Sequence, residues 1–298
     1  MELKSLNSFI EIAKQKPMKK IAVAAAEDEP VLIAIKDAFK EGIIEPVLVG
    51  HREKIRQIAD SIQFDINSFD IVEEKEPAKS ARTAVDLVRN GNAQILMKGL
   101  VGTADFLRAI LQKDNGLRRG ELLSHIGFFE VPVYHKVIAL TDAAQNVNPD
   151  LNEKISILKN SIDLFHNIGI KNPKVAMLAA VESVNPKMQA TIDAAAITMM
   201  NKRGQIKGCI IDGPLAFDNA VSHEAAEHKG IVSEVAGDAD LLFAPDIEAG
   251  NVLYKSFTYF AQATVAAIIL GAAVPVVLTS RADTDRSKLM SIALAASN

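Results

Sequence analysis

Residues 19–50 read KKIAVAAAEDEPVLIAIKDAFKEGIIEPVLVG, and this stretch decides the fold. Residues 19–26 read as a strand, whose residues 21–26 form the compact apolar run that a buried strand requires. Residues 29–42 change to helical spacing, with Pro30 in the first turn and Gly42 placed to close the helix. Residues 45–50, EPVLVG, return to a short apolar run. Strand, helix and strand within one short stretch make a βαβ unit, whose two strands are parallel.

The alternation continues outward. HREKIRQIADSI (51–62) predicts a helix, DIVEE (70–74) a short strand, and 77–91 a helix closed at Asn90-Gly91. AQILMKG (93–99) predicts a strand and TADFLRAILQ (103–112) a helix. The second half repeats the style. Strands are expected at 136–142, 174–180, 208–214, 239–246 and 274–280. Helices are expected at 151–168, 186–203, 219–229, 250–270 and 285–296. Regular alternation implies a mainly parallel sheet with helices on both faces. No Gly/Ser linker separates the halves, so size and pattern alone put a boundary near residue 137.

Composition narrows the function classes. The 298 residues suit one large α/β domain or two smaller ones. Hydrophobic residues make up 49% and charged residues 23%, so a substantial core is available. Trp is absent and aromatics are only 5%, which argues against stacking platforms for sugars or single strands. A formal charge of −4 gives no basic footprint for nucleic acid. The single cysteine, Cys209, supports neither a disulfide framework nor a thiolate metal site. The N-terminus is amphipathic and carries acids, unlike a signal peptide. Residues 257–278 contain Gln262 and Pro275 and read as a buried helix followed by a strand, not a membrane span. A cytoplasmic enzyme or binding protein is expected.

In open α/β sheets, ligands bind beyond the carboxyl ends of the strands. Five expected strands end in polar or glycine-rich residues: Lys98-Gly99 with Gly102-Thr103, Thr141-Asp142, Asp212-Gly213-Pro214, Pro245-Asp246, and Ser280-Arg281. Any one of them also reads as an ordinary turn, since turns favour Gly, Asp and Pro. The set of five reads as an active-site rim.

MKGLVGTADFLR (97–108) is the anion-site candidate of the first half. Gly99 and Gly102 permit close backbone approach, Thr103 is placed to cap the following helix, and Arg108 is long enough to reach a phosphate. No Gly-Lys-Ser/Thr follows, so the segment is not a Walker loop, and AAAEDEP lacks the dinucleotide glycines. In PDIEAGNVLYK (245–255), Asp246 and Glu248 are placed to orient an amide or a basic group, or to cap and compensate a helix start. Asn251 lies beside them, and Lys255 is within reach of an anion. HEAAEH (223–228) spaces its histidines five apart, where a helical zinc pair needs four, and no metal site is expected. No Gly-x-Ser-x-Gly elbow is present, so direct transfer between two bound substrates suits these residues better than a covalent intermediate.

IIDGPLAFDNAV (210–221), SEVAGDADLLFAPDIEAGNVLYK (233–255) and VPVVLTSR (274–281) occur in the order found in the phosphate acetyltransferase/phosphate butyryltransferase family. The chain resembles that family over about two-thirds of its length, from Ile95 onward. MKGLVGT and the short length are more similar to the butyryltransferase branch. The resemblance implies two α/β/α domains with mainly parallel sheets and an interdomain cleft, like isocitrate/isopropylmalate dehydrogenases. It assigns residues 1–137 with 272–298 to the first domain and 138–271 to the second. It implies a homodimer or higher homo-oligomer, with no nucleic-acid or membrane partner. The implied reaction is acyl-CoA + phosphate ⇌ acyl phosphate + CoA. Coenzyme A is then a substrate, and no cofactor is bound permanently. The alternatives are the acetyl reaction, or a non-catalytic acyl-CoA- or metabolite-binding protein of the same fold.

By the same resemblance Arg281 meets phosphate or CoA, Ser280 supplies the hydroxyl before it, and Arg108 and Thr103 belong to the glycine–threonine segment. Lys98, Gly99, Gly102, Asp212, Asp246, Glu248, Asn251 and Lys255 complete the expected substrate-binding set. The acetyl branch carries an acid six residues after the SR arginine, where this chain has Ser287. Asp283 and Asp285 lie nearby, and Asp285 is the candidate base. Thr258 and Tyr259 stand where the acetyl branch has an arginine, a change that suits a longer acyl chain.

Overall fold

A computed structural model describes residues 2–119, 122–279 and 283–298. The chain forms two compact units. The first comprises Asn7–Leu123 with Ala266–Asn298, and the second Met1–Leu6 with Ser124–Val265.

The first unit opens with α1 (Asn7–Lys14), β1 (Lys19–Ala24), α2 (Glu29–Lys40) and β2 (Ile44–Gly50). It continues through α3 (Arg52–Ser61), β3 (Asp70–Glu73), α4 (Pro77–Arg89), β4 (Ile95–Lys98) and α5 (Thr103–Leu111). In α2, Val31, Leu32, Ala34, Ile35 and Ala38 are buried, the one-sided stripe that seats a helix on a sheet. Val23 of β1 and Leu48 of β2 are fully buried, as expected of strands covered on both faces.

The second unit holds β5 (Ser124–Glu130), β6 (Ile138–Thr141), α6 (Leu151–Asn167), β7 (Lys174–Leu178) and α7 (Gln189–Lys202). β8 (Ile210–Leu215), α8 (Phe217–Val221), α9 (His223–His228), β9 (Leu241–Phe243) and α10 (Ile247–Tyr259) follow. α6 begins in a capping box: Asp150 accepts from the Glu153 amide at 2.9 Å, and Glu153 accepts from the Asp150 amide at 2.9 Å. The chain then supplies β10 (Thr264–Leu270), and the first unit closes with β11 (Val276–Val277) and α11 (Asp285–Ser297).

Within the first unit the strand order is β3-β2-β1-β4-β11-β10. β1 pairs in parallel with β2 and β4, and β11 in parallel with β4, while β10 and β11 are antiparallel. Within the second unit the order is β5-β6-β9-β7-β8. All its pairs are parallel except β5–β6. The mixed α/β class and mainly parallel pairing expected from the sequence are therefore present.

Four elements differ from the sequence reading. The helix expected at 250–270 ends at Tyr259, and Thr264–Leu270 is β10. TVAAIIL is a continuous apolar run, which periodicity alone cannot tell from a buried helix. Gln262, at φ 52°, makes the turn between them. β5 lies outside the strands expected from the sequence: SHIGFFE lacks the alternation of a half-buried strand and is buried on both faces. The helix expected at 219–229 is broken at Ser222, whose hydroxyl accepts from the Ala225 amide at 3.2 Å and starts α9. Of the strand expected at 274–280, β11 covers Val276–Val277.

α11 is buried on nearly every side and packs on α1 and α2. Its C-terminal carbonyls are met by two ammonium groups: Lys16 Nζ donates to Ser297 O and Lys19 Nζ to Asn298 O, both at 2.5 Å.

Candidate active site

The chain runs outward from β1 to β2 and β3, then returns to place β4 on the other flank of β1. That reversal is a topological switch point, where the loops leaving two adjacent parallel strands diverge and open a crevice. The loops are tied together at their base. The Gly99 amide donates to Ala24 O at 2.8 Å, and the Leu100 amide to Ala25 O at 2.7 Å. Ala25 holds φ at 51°. A Cβ on Gly99 would stand 2.2 Å from Ala25 O, so glycine is required there by the neighbouring backbone.

Above this junction lies a pocket of about 250 Å³. Asp28, Pro30 and Val31 line it from the start of α2, and Lys98, Gly99 and Leu100 from the end of β4. Thr279 follows β11, and Lys288 comes from α11. Lys98 is 8% exposed, Lys288 3% and Thr279 8%. Lys98 Nζ donates to Gly99 O at 3.2 Å, and Lys288 Nζ donates to Asp283 O. Among the described residues no carboxylate pairs with Lys288. Two buried lysines lining one cavity give it a positive character that favours an anion.

Of the residues expected from the sequence, Lys98 and Gly99 fall in this pocket. Gly102 is the N-cap of α5, and Thr103 is its first helical residue. Thr103 therefore does not cap the helix, contrary to the reading of its hydroxyl; the chain turns helical one residue earlier. Arg108 is exposed and pairs with Asp105 at 2.5 Å, beside a second hollow that Arg82 and Gln112 also line. Asp285 is exposed in the first turn of α11. Ser287 is buried, and its amide donates to Thr284 Oγ1 at 3.2 Å in the cap of that helix. Ser280 and Arg281 lie outside the described residues.

In the second unit the expected residues gather at the start of α10. Asp246 caps the helix, accepting from the Ala249 amide at 2.8 Å. Asn251 Nδ2 donates to Ala143 O at 3.0 Å. Between them, a Cβ on Gly250 would sit 2.3 Å from Asp142 O, so the helix rests directly on the loop after β6. That loop is organised by Asp142, which is 3% exposed. Its carboxylate accepts from the amides of His125, Ala144 and Gln145 and from Asn146 Nδ2 at 2.6–3.1 Å. Glu248 and Lys255 are exposed, with Lys255 Nζ 5.4 Å from the Tyr254 ring centroid. Asp212, within β8, accepts from the Gly213 amide at 2.9 Å.

Sequence reasoning did not select Lys288, Asp28 or Thr279 as site residues. Thr279 was visible at a strand end. Lys288 gave no signal, because a lysine in a terminal helix ordinarily marks a solvated face. Cys209 is buried and its thiol is pushed up to about 11 by burial, which leaves it un-ionised at neutral pH. Among the described residues no cluster of three His, Cys, Asp or Glu is arranged to hold a metal ion. Among them, too, no helix is long and apolar enough to cross a membrane.

Residues 5–82 and 74–296 match the family described as phosphate acetyl/butaryl transferase. The chain is 52% identical to the phosphate butyryltransferase of Clostridium acetobutylicum over 99% of its length and 98% of that protein's. It is 43% identical to the phosphate acetyltransferase of Thermotoga maritima, covering 98% of each. Among solved structures it resembles a branched-chain phosphotransacylase from Enterococcus faecalis V583, with TM-score 0.82 and 34% identity over 94% of this chain and 98% of that one.

Proposed function

The chain belongs to the phosphate acetyl/butaryl transferase family, and from that premise we propose that it moves a short acyl group between coenzyme A and inorganic phosphate. The reaction balances without a further reactant. An oxygen of hydrogen phosphate bonds to the thioester carbonyl carbon, the C–S bond breaks with its electron pair on sulfur, and the phosphate's proton ends on the thiol. The products are an acyl phosphate and free CoA.

The observation that carries this reading is the Lys98–Lys288 pocket at the β1/β4 switch point. A phosphate or phosphoryl group held there exchanges its hydration for two charge-assisted hydrogen bonds. Its position relative to the thioester is then fixed, and such orientation supplies much of the barrier lowering in a two-substrate transfer. Arg281 is proposed to share the anionic charge, Ser280 to donate to the carbonyl oxygen as it becomes an oxyanion, and Asp285 to exchange the thiol proton. Arg108, Thr103 and Gly102 are proposed substrate contacts of the first unit, and Asp212, Asp246, Glu248, Asn251 and Lys255 of the second.

The higher identity to a phosphate butyryltransferase than to a phosphate acetyltransferase supports a butyryl-sized substrate. CoA is proposed as a substrate with no resident cofactor, the protein as a homo-oligomer, and the cytoplasm as its location. The functional domain division proposed is residues 1–137 with 272–298, and 138–271, whereas the compact units change over at Leu123/Ser124 and Val265/Ala266. Thiol release from acetyl-, butyryl- and isobutyryl-CoA, with and without phosphate, tests the proposal. Phosphate-dependent release, fastest with the four-carbon substrates, is expected.

A further inference from the structure

Asp28 is the acid among the described residues lining the Lys98–Lys288 pocket. It occupies the N-cap of α2 in extended conformation, where an aspartate usually accepts a hydrogen bond from an amide of the first turn. Here its side chain makes no capping bond. Its backbone is fully employed instead: the amide donates to Ala26 O at 2.8 Å, and the carbonyl accepts from the Leu32 amide at 2.9 Å. Asp28 is half-buried and lines the pocket together with the buried residues Lys98 and Lys288. Lysine ammoniums alone donate equally well to any tetrahedral oxyanion, because each presents a point charge with freely rotating donors.

We propose that Asp28 makes this pocket select hydrogen phosphate over sulfate. At neutral pH inorganic phosphate keeps at least one P–OH group, whereas sulfate carries no proton. A carboxylate is an acceptor only. It takes a charge-assisted hydrogen bond from P–OH, but meets sulfate as one acceptor against another, with like charges opposed. The lysines therefore set the affinity for a tetrahedral anion, and Asp28 sets which one is kept. The same contact fixes which phosphate oxygen bears the proton and leaves the unprotonated oxygens to the lysines. The inference rests on the reading of this pocket as the phosphate subsite.

The test is calorimetric binding of inorganic phosphate and of sulfate to the full chain without acyl-CoA, for wild type, Asp28→Asn and Asp28→Ser. Both replacements are favoured N-cap residues, so α2 keeps a suitable start. Wild type is expected to bind phosphate at least about tenfold tighter than sulfate, the scale of one charge-assisted hydrogen bond. In both variants sulfate is expected to tighten and phosphate to weaken, so that the preference falls by about tenfold or more. Sulfate inhibition of thiol release should strengthen in parallel. A preference unchanged in both folded variants overturns the inference while leaving acyl transfer standing. Unfolding of both variants also overturns it, by assigning Asp28 to the fold. A wild-type chain that binds neither anion overturns the inference together with the phosphate-subsite reading.

Discussion

Lys98, the last residue of β4, and Lys288, in the first turns of α11, line one pocket from opposite stretches of the chain, each more than nine-tenths buried. The strand end provides the first because β4 lies beside the switch point. The second arrives because α11 packs on α2, which begins at the same rim. Replacing Lys288 by Met keeps most of the side-chain volume and removes the charge. A charge-assisted hydrogen bond contributes about 1.5–3 kcal/mol, so KM for phosphate should rise roughly 10–100-fold. Phosphate saturation curves at fixed butyryl-CoA read this directly. A variant with wild-type KM would place the anion elsewhere.

The pocket is legible in the sequence only in part. Lys98 and Gly99 stand out because they end an apolar run, and strand ends carry ligands in α/β sheets. Asp28 sits at another such end, yet AAAEDEP signals only that the dinucleotide glycines are missing. Lys288 is silent in sequence. Its burial is a consequence of α11 packing on nearly every side, and the mixture of Ser, Lys and Ala in that helix has no amphipathic stripe to reveal it. The apolar run 264–270 is equally silent about being strand or helix, since a fully buried segment of either kind reads the same.

Gly250→Ala should be destabilising, against the ordinary rule for helix interiors. In an open helix, alanine gains about 1 kcal/mol over glycine. At this position the new Cβ would meet Asp142 O at 2.3 Å, and backbone cannot yield cheaply. The overpacking cost of about 1–3 kcal/mol should prevail. The denaturant midpoint, with circular dichroism as the probe, is expected to fall; a rise would mean that α10 shifts freely on the loop after β6.

A buried ion pair joins α6 to α7: Lys154 Nζ meets Asp193 Oδ2 at 2.6 Å, with both side chains under one-tenth exposed. Gln189 Nε2 donates to the other carboxylate oxygen at 2.8 Å. Asp193→Ala leaves an unpaired buried ammonium and should cost about 3–5 kcal/mol. The double variant Lys154→Met/Asp193→Leu should recover most of that loss, because the desolvation penalty disappears with the charges. Urea unfolding of the single and double variants tests this, and equal losses in both would refute it.

Stability at low pH should depend on Asp238. Burial pushes its carboxyl up, but hydrogen bonds from Lys136, Lys174 and His135 and the Lys136 charge outweigh burial and hold it well below the usual carboxylate range. A folded-state pKa below the unfolded value of about 3.9 stabilises the fold above that pH. The contribution is lost as pH falls below about 3.9 toward the folded pKa. Asp238→Asn should lower stability at neutral pH and flatten the acid limb of a pH–stability profile. An unchanged acid limb would show that other carboxylates govern it.

The most direct test of acyl transfer to phosphate at this pocket is the fate of butyryl-CoA mixed with the wild-type chain and with Lys288→Met. Both thiol release and acyl phosphate, trapped as the hydroxamate, are measured over a range of phosphate concentrations. The account predicts equal amounts of thiol and acyl phosphate from wild type, release that stops without phosphate, and a phosphate requirement raised roughly 10–100-fold in Lys288→Met. Thiol release independent of phosphate, or unaccompanied by acyl phosphate, would contradict it.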